Sequence, residues 1–387
     1  MDWHLECSAC GATRDPSGLP TVCACGQPWL VRYPGRHPDP RERSSPAGQR
    51  GMWRFRSFLP LAAGEEPVTL GEGDTPLLAV PKIAERIGLS RVWVKEEGVN
   101  PTGSFKARGL SAAITRAVAN GARSFTLPTA GNAGVAASAY GARAGVLVRV
   151  YAPRTTPPVI LAQIRAFGAD LRLQEGHIGD CGKASRAWAA ETGAFDLSTL
   201  REPYRIEGKK TLGIELAEQF DWTLPDAILY PTGGGTGLIG MWKAFQELLA
   251  AGWVSGPMPR MFTVQSTGCA PVVKAFENGA DHADPWPDPK TRASGLQVPG
   301  PLGDRLMLRA LRESRGGAVA VSDADLECEA REGSRLCGID FAPEGGASIA
   351  AARVLRERGV LGAEDRIVLF NTGAGWLYRA PNELPPA

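Results

Sequence analysis

The segment NPTGSFKARG, residues Asn100 to Gly109, joins a predicted strand to a predicted helix. It follows the apolar run Val92-Trp93-Val94 and precedes an apolar set at helical spacing, Leu110, Ala113, Ile114 and Ala117. The pattern predicts a turn, an N-cap at Ser104 and a helix that begins near Lys106. Unpaired backbone N–H groups at a helix start carry partial positive charge, which disfavours an ammonium and favours a neutral amine. Lys106 is therefore a candidate nucleophile.

Composition limits the classes of protein that fit this chain. Its 387 residues carry 43 Lys and Arg against 41 Asp and Glu, a formal net charge of +2 with both signs mixed along the sequence. Without a broad basic surface, neither nucleic acid nor an anionic membrane is predicted as a partner. The first residues include no apolar signal run, and no uncharged run reaches the roughly 18 to 20 residues that span a bilayer. We therefore expect the protein in the cytoplasm, outside any membrane.

Short apolar runs alternate with helical patterns from Arg91 onward. Runs that are continuous rather than alternating indicate strands buried on both faces, and intervening helices indicate parallel sheets. A short helix is also predicted near Trp53 to Phe58. The fold class is thus α/β, in a chain long enough for two domains and an appendage. The predicted strands are VWV at 92, SFTLP at 124, VLVRVY at 146, LRL at 171, AILY at 227, MFTV at 261, AVAV at 318 and RIVLF at 366.

Three glycine-containing motifs directly follow predicted strands: PTAGNAG at 128–134, PTGGGTG at 231–237 and NTGAG at 371–375. In parallel α/β sheets, ligands bind at the carboxyl ends of strands, where helix N-termini present backbone N–H groups. The glycines of PTGGGTG let the backbone approach closely and surround a phosphate dianion. A dinucleotide is the alternative, because residues 235–240 fit G-x-G-x-x-G. However, the strand MFTV is followed by Gln265 and Ser266 rather than by an acidic residue for ribose.

Four of the eight cysteines lie near the N-terminus: Cys7, Cys10, Cys23 and Cys25. Their spacing, C-x2-C and then C-x-C, can place four thiolates tetrahedrally around zinc, with glycine and proline in the loop between them. A structural zinc ribbon is therefore predicted, although C-x-C is tighter than the usual C-x2-C turn. The alternative, a redox pair, lacks the strand and helix context of thioredoxin-like motifs. The other four cysteines are expected to be buried free thiols.

Taken together, these motifs resemble the signature of pyridoxal phosphate (PLP) enzymes of fold type II, in particular the threonine synthase family. They stand in the same order as in that family, and LGEGDTPL at 70–77 and REPYRIEGKKT at 201–211 are also similar to it. The resemblance covers nearly the whole chain. It implies a tryptophan synthase β-like fold, with two parallel-sheet α/β domains, helices on both faces and a small N-terminal zinc-ribbon-like segment. It also implies a homodimer.

The resemblance implies roles for particular residues toward the cofactor. Lys106 would hold PLP covalently and act as the catalytic residue. Asn132 would hydrogen-bond the phenolic oxygen of PLP, and Thr372 would lie beside the pyridine nitrogen, where a neutral hydroxyl moderates electron withdrawal by the ring. The phosphate of PLP would lie on the loop formed by Gly233, Gly234, Gly235, Thr236 and Gly237.

Other residues are candidates for contact with an amino-acid substrate. Thr129 begins the segment that would lie near the substrate carboxylate. Three basic residues are candidates for a substrate phosphate: Lys95, Arg205 and Lys209.

The implied function is that of a PLP-dependent lyase that converts O-phospho-L-homoserine and water to L-threonine and phosphate. Ala107, Ala130 and Ala374 stand where the family commonly has aspartate, serine and a more polar residue. The alternative is β-elimination or β-replacement on another amino acid, as in serine or threonine dehydratases and cysteate or cysteine synthases. A third hypothesis, a zinc-ribbon binding protein on a degenerate enzyme body, is disfavoured by the intact Lys106 and Asn132.

Four segments are predicted along the chain. Residues 1–33 form the zinc-ribbon-like segment, and 34–109 an arm and the first part of the large PLP domain. Residues 110–204 form a small mobile α/β domain that closes over the substrate. The remainder of the large domain is 205–387.

Overall fold

The computed structural model describes residues 3–35 and 50–379, so part of the predicted arm, 36–49, lies outside the described residues. The described residues form two compact units that interleave in sequence. The first unit comprises the described residues up to Glu72, Asn100–Gly208 and the described residues from Gly375. The second unit comprises Gly73–Val99 and Lys209–Ala374.

Strands and helices alternate along most of the described chain. The strands are β1 His4–Cys7, β2 Thr13–Arg14, β3 Trp29–Arg32, β4 Leu77–Ala79, β5 Arg91–Glu96, β6 Ser124–Pro128, β7 Leu147–Pro153, β8 Asp170–Gln174, β9 Phe195–Asp196, β10 Ala227–Pro231, β11 Arg260–Ser266, β12 Gly317–Val321 and β13 Arg366–Asn371. The α-helices are α1 Pro81–Arg86, α2 Lys106–Ala119, α3 Asn132–Ala144, α4 Pro158–Ala166, α5 Ile178–Thr192, α6 Tyr204–Gln219, α7 Thr236–Ala250, α8 Pro271–Glu277, α9 Asp304–Glu313, α10 Asp323–Cys337 and α11 Pro343–Glu357. Across the part of the chain that the structure describes, no helix combines the length and apolarity needed to cross a bilayer.

The second unit is built on a six-stranded sheet with the order β12-β11-β10-β13-β5-β4. Neighbouring strands are parallel except at the edge, where β4 pairs antiparallel with β5. Strand β10 is buried throughout, and its Leu229 lies opposite Phe262 of β11 and Leu369 of β13. Strands covered on both faces exclude water from every side chain, which explains their continuous apolar sequences.

The first unit contains a four-stranded parallel sheet, β8-β7-β6-β9, and a three-stranded antiparallel sheet, β2-β1-β3. Small residues let α3 lie close to the parallel sheet. A methyl group at Gly141 of α3 would overlap Val148 of β7. The glycine thus permits close contact between the helix and the strand.

The predicted α/β class is confirmed, and each of the eight predicted strands is present. The short helix expected near Trp53 to Phe58 is a 3-10 helix, Met52–Phe58. Strands β1 to β4 and β9 were not predicted, because runs of two to four residues are too short to show a periodic pattern.

Residues 50–72 lie in the first unit, whereas the predicted division grouped 34–109 with the large domain. The Trp53 indole N–H donates to Ser111 Oγ of α2 at 2.8 Å and to Glu72 Oε1 at 2.9 Å. The hydroxyl of Tyr140, on α3, donates to Glu72 Oε2 at 2.6 Å. These buried polar contacts join the segment to α2 and α3. The mobility of residues 110–204 stays a prediction.

Candidate active site

Lys106 is the first residue of α2, as the sequence predicts. Gly103, with φ of 69°, makes the preceding turn, and its N–H donates to Asn100 O at 2.8 Å. The cap position belongs to Phe105 rather than to the predicted Ser104, whose Oγ accepts from the Lys106 amide at 3.4 Å. The Lys106 side chain is half-buried, with Nζ 4.2 Å from the centroid of the Phe105 ring. The candidate nucleophile thus stands at the electropositive end of a helix.

Asn132 begins α3, directly after the turn that follows β6. Its Nδ2 donates to Tyr378 Oη at 3.3 Å, while Oδ1 is buried without a hydrogen-bond partner among the described residues. A buried acceptor without a partner costs free energy, which a ligand can recover. Because the Tyr378 hydroxyl can donate or accept, the amide can present either of its atoms to a ligand. Asn132 therefore retains hydrogen-bonding capacity for a bound molecule.

Thr129 organises the loop before α3. Its hydroxyl donates to Gly131 O at 2.8 Å and accepts from the amides of Gly131 and Gly134, both at 3.1 Å. These bonds fix the loop backbone around the start of the helix. Contact between Thr129 and a substrate stays a prediction.

Arg205 lies in the first turn of α6 with only 1% of its surface exposed. Its Nη1 donates to Leu197 O at 2.8 Å, just beyond β9. Its Nε and Nη2 are buried, and neither donates to any residue that the structure describes. A guanidinium keeps its charge in proteins, so these two donors can bind an anion.

Glu202 is a buried carboxyl beside Arg205 that the sequence analysis did not single out. It accepts from the amides of Tyr204 at 2.7 Å and of Arg205 at 3.1 Å. Burial raises the pKa of Glu202 to about 7, against the opposing effects of the Arg205 charge and the two amide bonds. The charge beside Arg205 therefore changes near neutral pH.

In the second unit, the glycine loop 233–237 joins β10 to α7, which begins at Thr236. A methyl group at Gly233 would overlap the backbone oxygen of Gly295, and one at Gly235, where φ is 79°, would overlap Met307. At Gly237 it would overlap the Tyr230 hydroxyl. Only glycine fits these positions, and Gly234 between them is half-buried. The loop ends at a helix N-terminus, where backbone N–H groups favour a phosphate.

Glu344 holds the segment against which the glycine loop packs. Its Oε1 accepts from the amide of Gly295 at 2.7 Å, and its side chain is buried. Because this bond fixes Gly295, the carbonyl oxygen facing Gly233 cannot easily move away. Glu344 thereby restricts the shape of the loop.

Thr372 follows β13 and is buried. The preceding residue, Asn371, donates from Nδ2 to Glu96 Oε2 at 2.8 Å and accepts from the Ala342 amide at 3.1 Å. Burial raises the pKa of Glu96, at the end of β5, to about 7, although hydrogen bonds from Asn371 and from the amide of Gly98 oppose the shift. The pair joins the carboxyl ends of two adjacent strands and orients the turn that carries Thr372.

Lys95 does not have the role predicted for it. Its Nζ is fully buried and donates to Glu215 Oε2 at 2.9 Å, to Gln219 Oε1 at 2.9 Å and to Thr75 O at 2.7 Å. Since an ammonium has three donors, these bonds leave none for a substrate phosphate. Lys95 is therefore a structural cation. Lys209 is also fully buried, in α6, and its contact with a phosphate stays a prediction.

The four N-terminal cysteines lie together at one end of the three-stranded sheet. All four sulfur atoms are within 4.8 Å of one another. The Sγ atoms of Cys7 and Cys25 are 3.4 Å apart, and those of Cys10 and Cys23 are 3.7 Å apart. Sulfurs about 2.3 Å from a tetrahedral zinc lie about 3.8 Å apart, so the cluster matches the dimensions of a four-thiolate site.

Several contacts of the site could not be found from sequence. The partner is distant in sequence for Tyr378, for Glu344 and for the pair of Glu96 and Asn371. Glu202 instead stands beside a helix start that has no unusual sequence signal. The available signals were that Asn371 opens NTGAG, that Glu344 stands in the glycine-containing segment APEGGAS at 342–348, and that Glu202 belongs to the family-like segment 201–211.

Comparisons with known proteins agree with this architecture. The family model described as "Pyridoxal-phosphate dependent enzyme" matches residues 68–373. Threonine synthase of Methanosarcina acetivorans is 33% identical over 96% of this chain and 91% of its own. That of Methanocaldococcus jannaschii is 31% identical over 96% of this chain and 92% of its own.

Among solved structures, maize serine racemase superposes with a TM-score of 0.68 at 20% identity, over 78% of this chain and 88% of its own. This likeness confirms the PLP fold type II architecture, with parallel sheets and helices on both faces. The extent and identity of the threonine synthase matches go further than the fold. The chain belongs to the threonine synthase family of pyridoxal-phosphate dependent enzymes.

Proposed function

We propose that the protein converts O-phospho-L-homoserine and water to L-threonine and phosphate, with PLP as its cofactor. The observation that carries the substrate assignment is Arg205, a buried guanidinium whose Nε and Nη2 lack partners within the described residues. A planar guanidinium binds a phosphate through two parallel hydrogen bonds. A dehydratase acting on serine or threonine has no second phosphate for this group to bind.

The residues expected to hold PLP have the properties that this cofactor requires. In the first unit, Lys106 supplies an amine at a helix start, and Asn132 has hydrogen-bonding capacity left for the phenolic oxygen. In the second unit, the glycine loop 233–237 ends at the N-terminus of α7, which suits a phosphate dianion. Thr372 supplies a neutral hydroxyl for the ring nitrogen.

The chemistry then divides between cofactor and protein. Bound PLP withdraws electrons from the substrate and eases loss of the proton at Cα. Lys106 would hold the cofactor until the substrate amine displaces its Nζ, and the freed Nζ would then take the Cα proton and move protons at the neighbouring carbons. Arg205 orients the substrate phosphate until it leaves, and the loop organised by Thr129 supplies backbone N–H groups to the carboxylate. Closure of residues 110–204 would exclude water until it is needed at Cβ.

The test of this function is an assay of both products. Purified, PLP-loaded protein is expected to release phosphate and L-threonine in equal amounts from O-phospho-L-homoserine, since one phosphate leaves for each water added. Parallel incubations with L-serine and L-threonine should give no 2-oxo acid. Turnover of those amino acids without turnover of the phosphorylated one would replace the proposal with the dehydratase alternative.

Substitution of Gly233 by alanine is expected to weaken PLP binding. The added methyl would overlap the Gly295 carbonyl oxygen, which the Glu344 bond holds in place, so the loop itself must shift. Overpacking of this kind costs about 1–3 kcal/mol, which predicts a rise of roughly tenfold or more in the PLP dissociation constant. Titration of the apoprotein, followed by visible absorbance, measures it.

Gly300 provides the matched control, because a methyl group there would meet nothing within 4 Å. Gly300→Ala should bind PLP like the unchanged protein. Equal PLP affinity in the Gly233→Ala protein would show that the loop does not hold the cofactor phosphate.

We also propose that Cys7, Cys10, Cys23 and Cys25 bind one structural zinc ion. Their mutual distances support a tetrahedral thiolate site, and such sites stabilise small sheets that have little core of their own. Metal analysis of the purified chain should give one zinc per polypeptide, and close to none after Cys7→Ser and Cys10→Ser are combined. A full-length protein that purifies without zinc from zinc-supplemented medium would contradict the assignment.

Assembly and location follow from the sequence resemblance and composition. We propose a homodimer that acts in the cytoplasm. Light scattering of the purified protein checks the dimer, and fractionation of the source cells checks the location.

A further inference from the structure

Hydrogen bonds join the N-terminal segment, residues 3–35, to the first turn of α6. The Tyr204 hydroxyl donates to the backbone oxygen of Pro16 at 3.2 Å. The Tyr33 hydroxyl, just after β3, donates to Glu207 Oε2 at 2.6 Å. Both Tyr204 and Glu207 are almost fully buried, at 1% and 0% exposure. The start of this helix is therefore held by hydrogen bonds to the cysteine-containing segment.

These two contacts flank Arg205. Tyr204 precedes it in α6, and Glu207 follows two residues later. The Arg205 amide is itself held by Glu202, and its Nη1 by Leu197 O. These bonds restrict the Arg205 backbone and side chain. A small movement of this turn would therefore displace its two remaining donors, Nε and Nη2, together.

The same loop of the N-terminal segment also holds the end of α2. Asn120, which follows α2, donates from Nδ2 to Pro16 O at 3.1 Å and to Gly18 O at 2.6 Å. The Arg116 guanidinium donates to Asn120 Oδ1 at 3.0 Å and lies 5.0 Å from the ring of Trp3. Pro16 O thus accepts from both Asn120 and Tyr204, so one loop connects α2 and α6.

The cysteine cluster lies at both ends of this loop. Residues 16–18 lie between Cys10 and Cys23, whose sulfur atoms are 3.7 Å apart. The first two strands of the segment are short, and β2 has only two residues. A metal bound to the thiolates would fix the two ends of the loop at Cys10 and Cys23, whereas its loss would leave those ends to short backbone pairing and so loosen the loop that carries Pro16.

We propose that the metal-bound N-terminal segment positions Arg205 for the substrate phosphate, through Pro16 on Tyr204 and Tyr33 on Glu207. Metal loss then weakens substrate binding and leaves PLP binding intact, since the contact between the segment and α2 is at Asn120, at the opposite end of that helix from Lys106. The inference rests on the proposed function only in naming phosphate as the anion that Arg205 binds. Pro16, Tyr33 and Tyr204 are positioning residues and take no part in the chemistry.

The experiment uses the full chain loaded with PLP and zinc, and compares it with protein stripped by a zinc chelator and with Tyr33→Phe. Tyr33→Phe keeps all four thiols, so it separates the contact from the metal. Steady-state kinetics with O-phospho-L-homoserine should show a roughly tenfold rise in KM, with little change in kcat, for the stripped protein and for Tyr33→Phe. Amide hydrogen exchange of residues 203–209 should accelerate by at least about tenfold, while visible absorbance of bound PLP stays constant.

Arg32→Gln is the matched control, because it removes an ion pair between Arg32 and Glu6 that lies inside the segment and does not involve α6. It should leave KM and exchange unchanged. Unchanged exchange in the stripped protein and in Tyr33→Phe would overturn the proposal, as would faster exchange with an unchanged KM. If Arg205→Lys alone leaves KM unchanged, the phosphate assignment fails, whereas the exchange data still decide whether the segment holds this turn.

Discussion

Lys106→Ala is expected to lower turnover of O-phospho-L-homoserine by at least about 10³-fold. The substitution removes the amine that holds the cofactor and moves the proton at Cα, and no other lysine named in the site occupies a helix start. Helix α2 should still form, because alanine has the highest helix propensity and the preceding turn depends on Gly103 and Asn100. Phosphate release measures the loss, and circular dichroism checks the fold.

Two controls isolate the amine. Lys82→Ala removes an exposed lysine of α1 and should leave turnover unchanged. Addition of a small primary amine such as methylamine to the Lys106→Ala protein should restore part of the lost rate, since it replaces the missing base. A Lys106→Ala protein that turns over within tenfold of the unchanged enzyme would remove Lys106 from the chemistry.

The architecture around Lys106 could be predicted because each of its signals is local. The run RIVLF at 366 is continuous and apolar because β13 lies inside a parallel sheet, between β10 and β5. The turn before Lys106 needs a glycine at φ of 69°, and the residues after it repeat at helical spacing. Local patterns of this kind are fixed by backbone geometry and burial, which leave a direct trace in sequence.

The errors came where a side chain's partner is distant in sequence. Lys95 was predicted to bind phosphate from its charge and its place after a strand, but Glu215, its partner, is 120 residues away. No local pattern shows that these two side chains are buried together. Glu344 has a structural role that its sequence context does not reveal. It holds Gly295, and only the structure shows that Gly295 packs against Gly233.

Arg205 could be identified as a candidate from sequence, but its burial and hydrogen bonding could not be predicted. Its segment, YRIEGKKT, was recognisable by resemblance, and its charge made it one of three candidates for phosphate. Sequence could not rank these candidates, since burial and hydrogen-bond saturation depend on tertiary contacts. The structure distinguishes two of them, because Lys95 donates to three protein acceptors whereas Arg205 keeps two buried donors without partners in the described chain. The role of Lys209 stays a prediction.

Arg205→Gln is therefore expected to raise KM for O-phospho-L-homoserine about 100-fold. Loss of a charged hydrogen-bonding partner to a buried phosphate costs about 2–3 kcal/mol, and glutamine can donate only from one nitrogen. Arg205→Lys should give an intermediate rise of roughly tenfold, since it keeps the charge but loses the paired geometry. PLP absorbance should not change in either protein, because the cofactor phosphate is assigned to the glycine loop.

Glu202→Gln is expected to lower KM for O-phospho-L-homoserine, and the effect should depend on pH. Burial raises the pKa of Glu202 to about 7, so the carboxyl is largely neutral below that pH and charged above it. Its charge offsets that of Arg205 and repels an anion, with Asp196 adding to the negative charge nearby. At pH 8 the substitution should therefore lower KM several-fold, while at pH 6 it should have little effect.

Arg201→Gln, which removes a half-exposed arginine 3.9 Å from Asp196, is the charge control for Arg205→Gln and should change KM less than twofold. If Arg201→Gln raises KM as much as Arg205→Gln does, general electrostatic attraction rather than a bidentate site explains phosphate binding.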